Sequence, residues 1–205
     1  MSPDEFIDKI LSKLNIKYLM VGDDFKFGKE RSGDFDFLSD WGSNNQIEVD
    51  RIPTHSFEGR RVSSTWIRES IADGNFDLAA KLLDRRYTFS GKVVFGNKVG
   101  RTIGVPTANI WVPKSNLPIK GVYAVKALVK GETFNGIANM GVRPTVGGTS
   151  PVLEIHIFDF NEEIYGFRIE VEFYQKIRNE KKFENLDKLK EQINLDIAET
   201  RKYFS

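Results

Sequence analysis

The sequence predicts an α+β protein: a C-terminal six-stranded antiparallel β-barrel closed by a helix, preceded by a partial α/β segment. Three observations predict this. From Tyr87 onward, six short runs of alternating or continuous apolar residues are separated by glycine-bearing turns, the pattern of a closed antiparallel barrel. A helical apolar stripe ends the chain. The first eighty or so residues instead read as a helix feeding a short buried strand, as in an α/β unit.

In order along the chain, Ser2 is a candidate cap, Pro3 suits the first helical position, and Glu5 stands at capping-box spacing. Phe6, Ile7, Ile10, Leu11 and Leu14 continue at helical intervals. Residues 17–22 form a short apolar run expected to be a buried strand. No strand precedes this helix, so a parallel sheet starting here is expected to lack its first members. Residues 23–45, rich in Asp, Gly, Ser and Asn, are expected to be loop. A strand is expected over 47–52. Ser63-Ser64-Thr65 is expected to cap a helix through Trp66, Ile67 and Ile71 that stops at Gly74, and a second helix fits 76–83. The barrel strands are expected at 87–95, 107–112, 122–129, 133–139, 152–160 and 168–177. The last helix is expected from about Leu186 to Tyr203, with Leu186, Leu189, Ile193 and Ile197 as its stripe.

The 205 residues amount to about 1.4 domains of ordinary size, too long for one small barrel and short for two full domains. There is no Cys, which excludes disulfides, thiolate zinc sites and cysteine nucleophiles, and with only His55 and His156 a His-rich metal site is excluded too. Thirty basic residues balance 29 acidic ones, so no strong electrostatic attraction to nucleic acid or to an anionic membrane is expected. The halves differ mildly, net −3 over residues 1–86 and net +4 over 87–205. No apolar run approaches the roughly 20 residues of a membrane helix, and the acidic opening is not a secretory leader; the expectation is a cytoplasmic protein.

The richest stretch chemically runs from Gly96 to Asn109. Gly96, Gly100 and Gly104 recur every fourth residue, which is neither a Walker A loop nor a dinucleotide fingerprint. Glycines do let backbone N–H groups approach an anion, and Lys98 and Arg101 add positive charge there. A glycine-rich hairpin with two solvated cations reads equally well. If residues 107–112 are extended, Thr107 and Asn109 share one face roughly 7 Å apart, while Ala108, Ile110 and Val112 face a core. A hydroxyl and a carboxamide are hard oxygen ligands that suit Mg²⁺ with substrate phosphates; they are also common on a wet strand face. In residues 153–157, alternation buries Leu153, Ile155 and Ile157 and puts Glu154 and His156 on the opposite face. A carboxylate facing a phosphate site can deprotonate an attacking hydroxyl. His156 reads as a structural hydrogen-bonding residue. Residues 139–145 and 178–183 read as connectors, with Phe183 able to stack on a planar ligand.

Together these residues resemble the riboflavin kinase family: a glycine-rich turn (96–104), Pro-Thr-Ala-Asn (106–109), Gly-Val-Tyr (121–123), Glu-x-His (154–156) and Arg-x-Glu-x-x-Phe (178–183), all in order. The resemblance implies transfer of the γ-phosphate of ATP to the ribityl 5′-hydroxyl of riboflavin, giving FMN and ADP. It implies Mg²⁺ or Mn²⁺ and phosphate at Thr107 and Asn109. Gly96, Lys98, Gly100, Arg101 and Gly104 would form the nucleotide loop, with Glu154 as general base and Arg178 and Phe183 as flavin contacts. A non-catalytic flavin- or nucleotide-binding barrel is the alternative; a nucleic-acid-binding barrel is disfavoured by the balanced charge.

The first segment resembles the nucleotidyltransferase half of the bifunctional bacterial enzymes that also make FAD, a Rossmann-like domain. Residues 21–28, with Asp24, Phe25 and Phe27, are similar to its flavin-side motif. Ser63-Ser64-Thr65-Trp66-Ile67-Arg68 is similar to its Ser-Ser-Thr-x-Ile-Arg motif, where a helix N-terminus receives ATP phosphates. That family's His-x-Gly-His does not occur in these residues. The expectation is therefore an N-terminally truncated chain: a remnant of the FMN adenylyltransferase domain at 1–84, inactive in FAD synthesis, and a complete riboflavin kinase domain at 85–205.

Overall fold

The computed structural model describes residues 1–96, 100, 104–113, 117–145 and 148–205, and only the backbone at 143–145 and 148–149. Two compact units divide the chain, Met1–Val62 and Ser63–Ser205.

In the first unit, helix α1 (Pro3–Lys9) begins with the full capping box: Glu5 N–H donates to the Ser2 hydroxyl at 3.1 Å and Ser2 N–H to the Glu5 carboxylate at 2.9 Å. The helix is shorter than its apolar spacing predicts. It stops at Ile10, a 3₁₀ turn follows over Leu11–Lys13, and Leu14 is exposed. Strand β1 (Tyr18–Gly22) pairs in parallel with β2 (Glu48–Ile52), joining the two expected strands in one sheet. The expectation of loop over 23–45 is corrected by a 3₁₀ turn at Lys29–Arg31 and helix α2 (Phe35–Asn44). Gly42 and two serines give α2 poor intrinsic propensity. Packing overrides this: Asp34 caps it by accepting from Phe37 N–H, and Leu38, with Phe35, Phe37 and Trp41, joins a core of Ile7, Leu11, Val21 and Phe27. A short hairpin, β3 (Ser56–Phe57) with β4 (Arg60–Arg61), was not expected.

The second unit opens with helices α3 (Ser64–Ala72) and α4 (Phe76–Leu83), capped by Ser63 and Asn75. Then come six strands, as many as predicted: β5 (Thr88–Val94), β6 (Ala108–Trp111), β7 (Gly121–Val129), β8 (Glu132–Thr145), β9 (Gly148–Ile157) and β10 (Arg168–Arg178). The reading of 139–145 as a connector is corrected, because β8 runs on through these residues paired with the start of β9, and β9 ends at Ile157 rather than at 160. They close into a barrel in the order β10-β5-β6-β9-β8-β7. Every pairing is antiparallel. Alternation sends Val93, Ile110, Tyr123, Val125, Ala138, Met140, Leu153, Ile155, Val171 and Phe173 to the interior. Ile71, Phe76 and Ala79 of the helix pair join this same core. Phe76 packs against Tyr123 and Phe173 with ring centroids 5.6 and 5.8 Å apart. The C-terminal helix α5 (Leu186–Phe204), capped by Asn185, covers part of the outer barrel wall, where Ile197 packs with Val122, Ile137 and Phe158. Its buried face differs from the expected stripe at three positions. Leu186 in the first turn is exposed, whereas Asp196 and Thr200 are buried. Among the described residues, no helix is long and apolar enough to cross a membrane.

Candidate active site

The outer wall of the barrel, not its packed interior, carries the polar residues. Period-2 alternation turns Asn109 and Glu154 away from the core, and the strand register then aligns them. Asn109 pairs with Glu154 across β6 and β9, Glu154 with Asn139 across β9 and β8, and Asn139 with Val122 across β8 and β7. Two irregularities in β10 bring Arg178 opposite Val122 at the end of this row. Bulges of this kind re-aim side chains beside binding sites.

Helix α5 and the 178–183 segment stand over this row and enclose an open cleft of about 280 Å³. Its wall contains Thr107, Asn139, Glu154 and His156, and its far side Arg178, Phe183, Leu189, Ile193 and Asp196. A smaller cavity of about 90 Å³ lies alongside, walled by Val93, Ala108, Phe160, Glu162 and Tyr165. Thr107 lines both. The two cavities therefore share Thr107 as a common wall residue.

Several contacts fix this geometry. His156 Nδ1 lies 2.8 Å from the Pro106 carbonyl, holding the turn that delivers Thr107, in agreement with its structural reading. Gly96 passes so close to Asn109 that a Cβ there would lie 2.3–2.5 Å from its carboxamide, so only glycine lets the chain seal over this side chain, which is 5% exposed. Arg178 is clamped to Asp196: Nε lies 2.9–3.0 Å from the two carboxylate oxygens and Nη2 2.7 Å from one of them. Its guanidinium also lies 5.7 Å from the Phe183 ring centre. Glu180 reaches back to Lys120 at 3.3 Å and lies on Gly141. Tyr123 anchors the start of β7, its hydroxyl accepting from Lys120 N–H and donating to the Lys120 carbonyl, both at 2.8 Å; burial pushes its pKa up.

The predicted residues thus separate. Gly100, Thr107, Glu154, Arg178 and Phe183 line one cleft, with Asn109 buried in the wall beside Glu154. Gly104 is exposed with φ of 82°, and Lys98 and Arg101 lie outside the described residues. Ser63 caps α3 by accepting from Trp66 N–H, with Ser64, Thr65 and Arg68 exposed on that helix. In the first unit, Phe27 is buried in the core and Phe25 packs against it, whereas Asp24 is exposed and paired with Arg61 at 2.8 Å. The hydrogen bond from Arg61 holds the Asp24 carboxyl below its ordinary pKa. Sequence reasoning singled out the stretches that hold Asn139 and Glu180 without giving either residue a role, and missed Asp196. The signal for Asp196 is an acidic residue at helical spacing from Ile193 and Thr200, on the face that must dock.

The donors around Thr107 are oxygens of hydroxyl, carboxamide and carboxylate groups, a set that fits a hard cation shared with phosphate. Among the described residues, no cluster of three His, Cys, Asp or Glu side chains could hold a metal ion without such help.

Comparisons with known proteins place the chain in a family. The family model described as "Flavokinase: Riboflavin kinase" matches residues 83–204, and "FAD_syn: FAD synthetase" matches residues 1–66. The bifunctional riboflavin kinase/FMN adenylyltransferase of Haemophilus influenzae is 48% identical over 98% of this chain and 66% of its own length. The protein of the same name from Bacillus subtilis is 39% identical over 100% of this chain and 66% of its own. A crystal structure described as a macrolide-efflux protein from Streptococcus pneumoniae is 34% identical with a TM-score of 0.77, over 98% of this chain and 65% of that one. The chain thus spans just under two thirds of the length of the proteins it matches. With a family model covering more than half its residues, the chain belongs to the riboflavin kinase family.

Proposed function

We propose that this protein is a riboflavin kinase, with riboflavin in the larger cleft and ATP reaching Thr107 from the smaller cavity. The observation that carries the reading is the position of Thr107. This one residue lines both cavities, and Glu154 stands in the wall of the larger one. A two-substrate phosphoryl transfer requires such a meeting point, because attacking and leaving oxygens must lie roughly in line through the phosphorus.

On this reading Glu154 accepts the proton of the 5′-hydroxyl as its oxygen bonds to the γ-phosphorus. The bond from that phosphorus to the β-phosphate oxygen breaks, and ADP leaves. Thr107 and Asn109 would hold Mg²⁺ together with phosphate oxygens, and the ion would supply charge neutralisation on the transferring group. By the family resemblance Gly96, Gly100 and Gly104, with Lys98 and Arg101, would serve the nucleotide phosphates; Gly100 lines the larger cleft near Thr107, on the side where the transferring phosphate would have to reach the acceptor. Arg178 and Phe183 bound the flavin side, where Leu189 and Ile193 offer apolar surface to a planar ring.

We further assign residues 1–84 to an adenylyltransferase-derived part and 85–205 to the kinase part, supported by the two family matches. The deciding experiment is ADP release by the purified chain with MgATP, with and without riboflavin. ADP formed only with riboflavin, one per FMN, is expected. Riboflavin binding without ADP would overturn the kinase reading in favour of a non-catalytic binder.

A further inference from the structure

Asp196 is 3% exposed, and its carboxylate is one of few polar groups buried at the contact between α5 and the barrel. A buried carboxylate is costly unless paired and hydrogen-bonded, and replacing such a pair with apolar residues is often neutral or stabilising. Packing alone therefore gives no reason for an acid here. What the acid does is visible in its contacts. Both oxygens face the Arg178 guanidinium, and Gln192 Nε2 donates to Oδ1 at 2.9 Å from one turn earlier. The Thr200 hydroxyl donates to the Asp196 carbonyl at 2.8 Å, tying the same turn of α5 from the other side. Arg178 Nη1 donates to the Asn179 carbonyl at 3.0 Å, which orients the fork from its other end. The guanidinium plane is thereby fixed at the base of the 178–183 segment, facing Phe183.

We infer that Asp196 is a positioning residue of the acceptor cleft: it sets the orientation of Arg178, and through it the side of the cleft that receives the planar substrate. This inference rests on the riboflavin kinase reading. Asp196 sits on α5 while Arg178 ends β10, so the pair also joins the helix to the barrel across the cleft. Substrate contacting Arg178 meets a group whose freedom has already been removed, which lowers the ordering cost of binding. An Arg freed of its carboxylate would still be cationic but would sample other rotamers.

The test uses the whole chain and four variants, Asp196→Asn, Gln192→Met, Arg178→Ala, and the double variant of the first and third. Steady-state ADP formation and riboflavin fluorescence quenching are both read. Asp196→Asn is expected to raise the riboflavin KM and Kd about tenfold, the scale of one charge-assisted contact. Its kcat should stay within about threefold and its ATP KM within about twofold. Arg178→Ala should give a similar loss, and the double variant no more than the larger single loss, because the two act as one unit. Gln192→Met keeps the ion pair but removes its lateral hydrogen bond; roughly a two- to threefold rise in riboflavin KM is expected, which covers the case in which Asp196→Asn does not fold. Additive losses in the double variant, or equal losses in riboflavin and ATP affinity, would overturn the inference while leaving the kinase reading intact. A wild-type chain with no riboflavin-dependent ADP would overturn the kinase reading and this inference with it.

Discussion

Asn109 and Glu154 are directly opposed across the β6–β9 ladder, and Glu154 is opposed in turn by Asn139 on β8. Directly opposed side chains on one face of an antiparallel pair have Cβ atoms about 5 Å apart. The three polar groups therefore form one row, of which Glu154 and Asn139 line the cleft while Asn109 is buried beside them. Replacing Glu154 with Gln keeps size and hydrogen bonding but removes the proton acceptor. Phosphate transfer is expected to fall by roughly 10²- to 10⁴-fold with the ATP KM within about twofold. Single-turnover ADP formation measures it, and near-normal turnover would exclude Glu154 as base.

Gly141 is a second sensitive point on the same wall. A Cβ there would lie 2.3 Å from Glu180 Oε1, the movable end of a side chain rather than backbone. Gly141→Ala is therefore expected to push Glu180 off Lys120 and loosen the 178–183 segment. Riboflavin binding should weaken roughly threefold to tenfold, as for one or two lost polar contacts, with a stability change below about 1 kcal/mol. Fluorescence titration and a thermal melt separate the two; a large drop in melting temperature with unchanged affinity would contradict this.

Phe76 is 1% exposed and lies among Tyr87, Tyr123 and Phe173 in the barrel core. Phe76→Ala is expected to cost about 3–5 kcal/mol, the usual penalty for emptying a buried ring site. For the same reason, a piece beginning at residue 85 should be less stable than one beginning at residue 63, which retains Ile71, Phe76 and Ala79. Urea unfolding of the two pieces checks this, and equal midpoints would refute it.

Arg201 on α5 donates to both oxygens of Asp159, at 2.9 and 3.0 Å, just beyond β9. That hydrogen bonding holds the Asp159 carboxyl below its ordinary value of 3.8. A lowered pKa means the contribution is fully present above 3.8 and is lost as pH falls through the lower folded value. Arg201→Met keeps an apolar contact with Phe158 but removes the charge pair. Its melting temperature should lie below wild type by a constant, small amount from neutral pH to about pH 5, the difference closing in more acid solution. A difference unchanged down to pH 3 would count against this pairing as the cause.

Much of this protein follows from sequence alone. Alternation in residues 107–112 and 153–157 sorted core from cleft residues, because side chains of an extended chain must alternate between faces. Ser2 with Glu5, and Ser63, announced helix starts, because a cap satisfies local N–H groups without reference to the rest of the fold. Helix α2 was less legible: Asp34, Phe35, Leu38 and Trp41 carry its cap and spacing, but Gly42 and the serines mask them, and only burial against Ile7 and Val21 settles its state. Tertiary structure alone decided three things. Strand register placed Asn139 beside Glu154, the irregularities of β10 turned Arg178 into the cleft, and the docking of α5 paired that arginine with Asp196. Each depends on residues far apart in the chain, and local periodicity carries no information about which distant partner a face will meet.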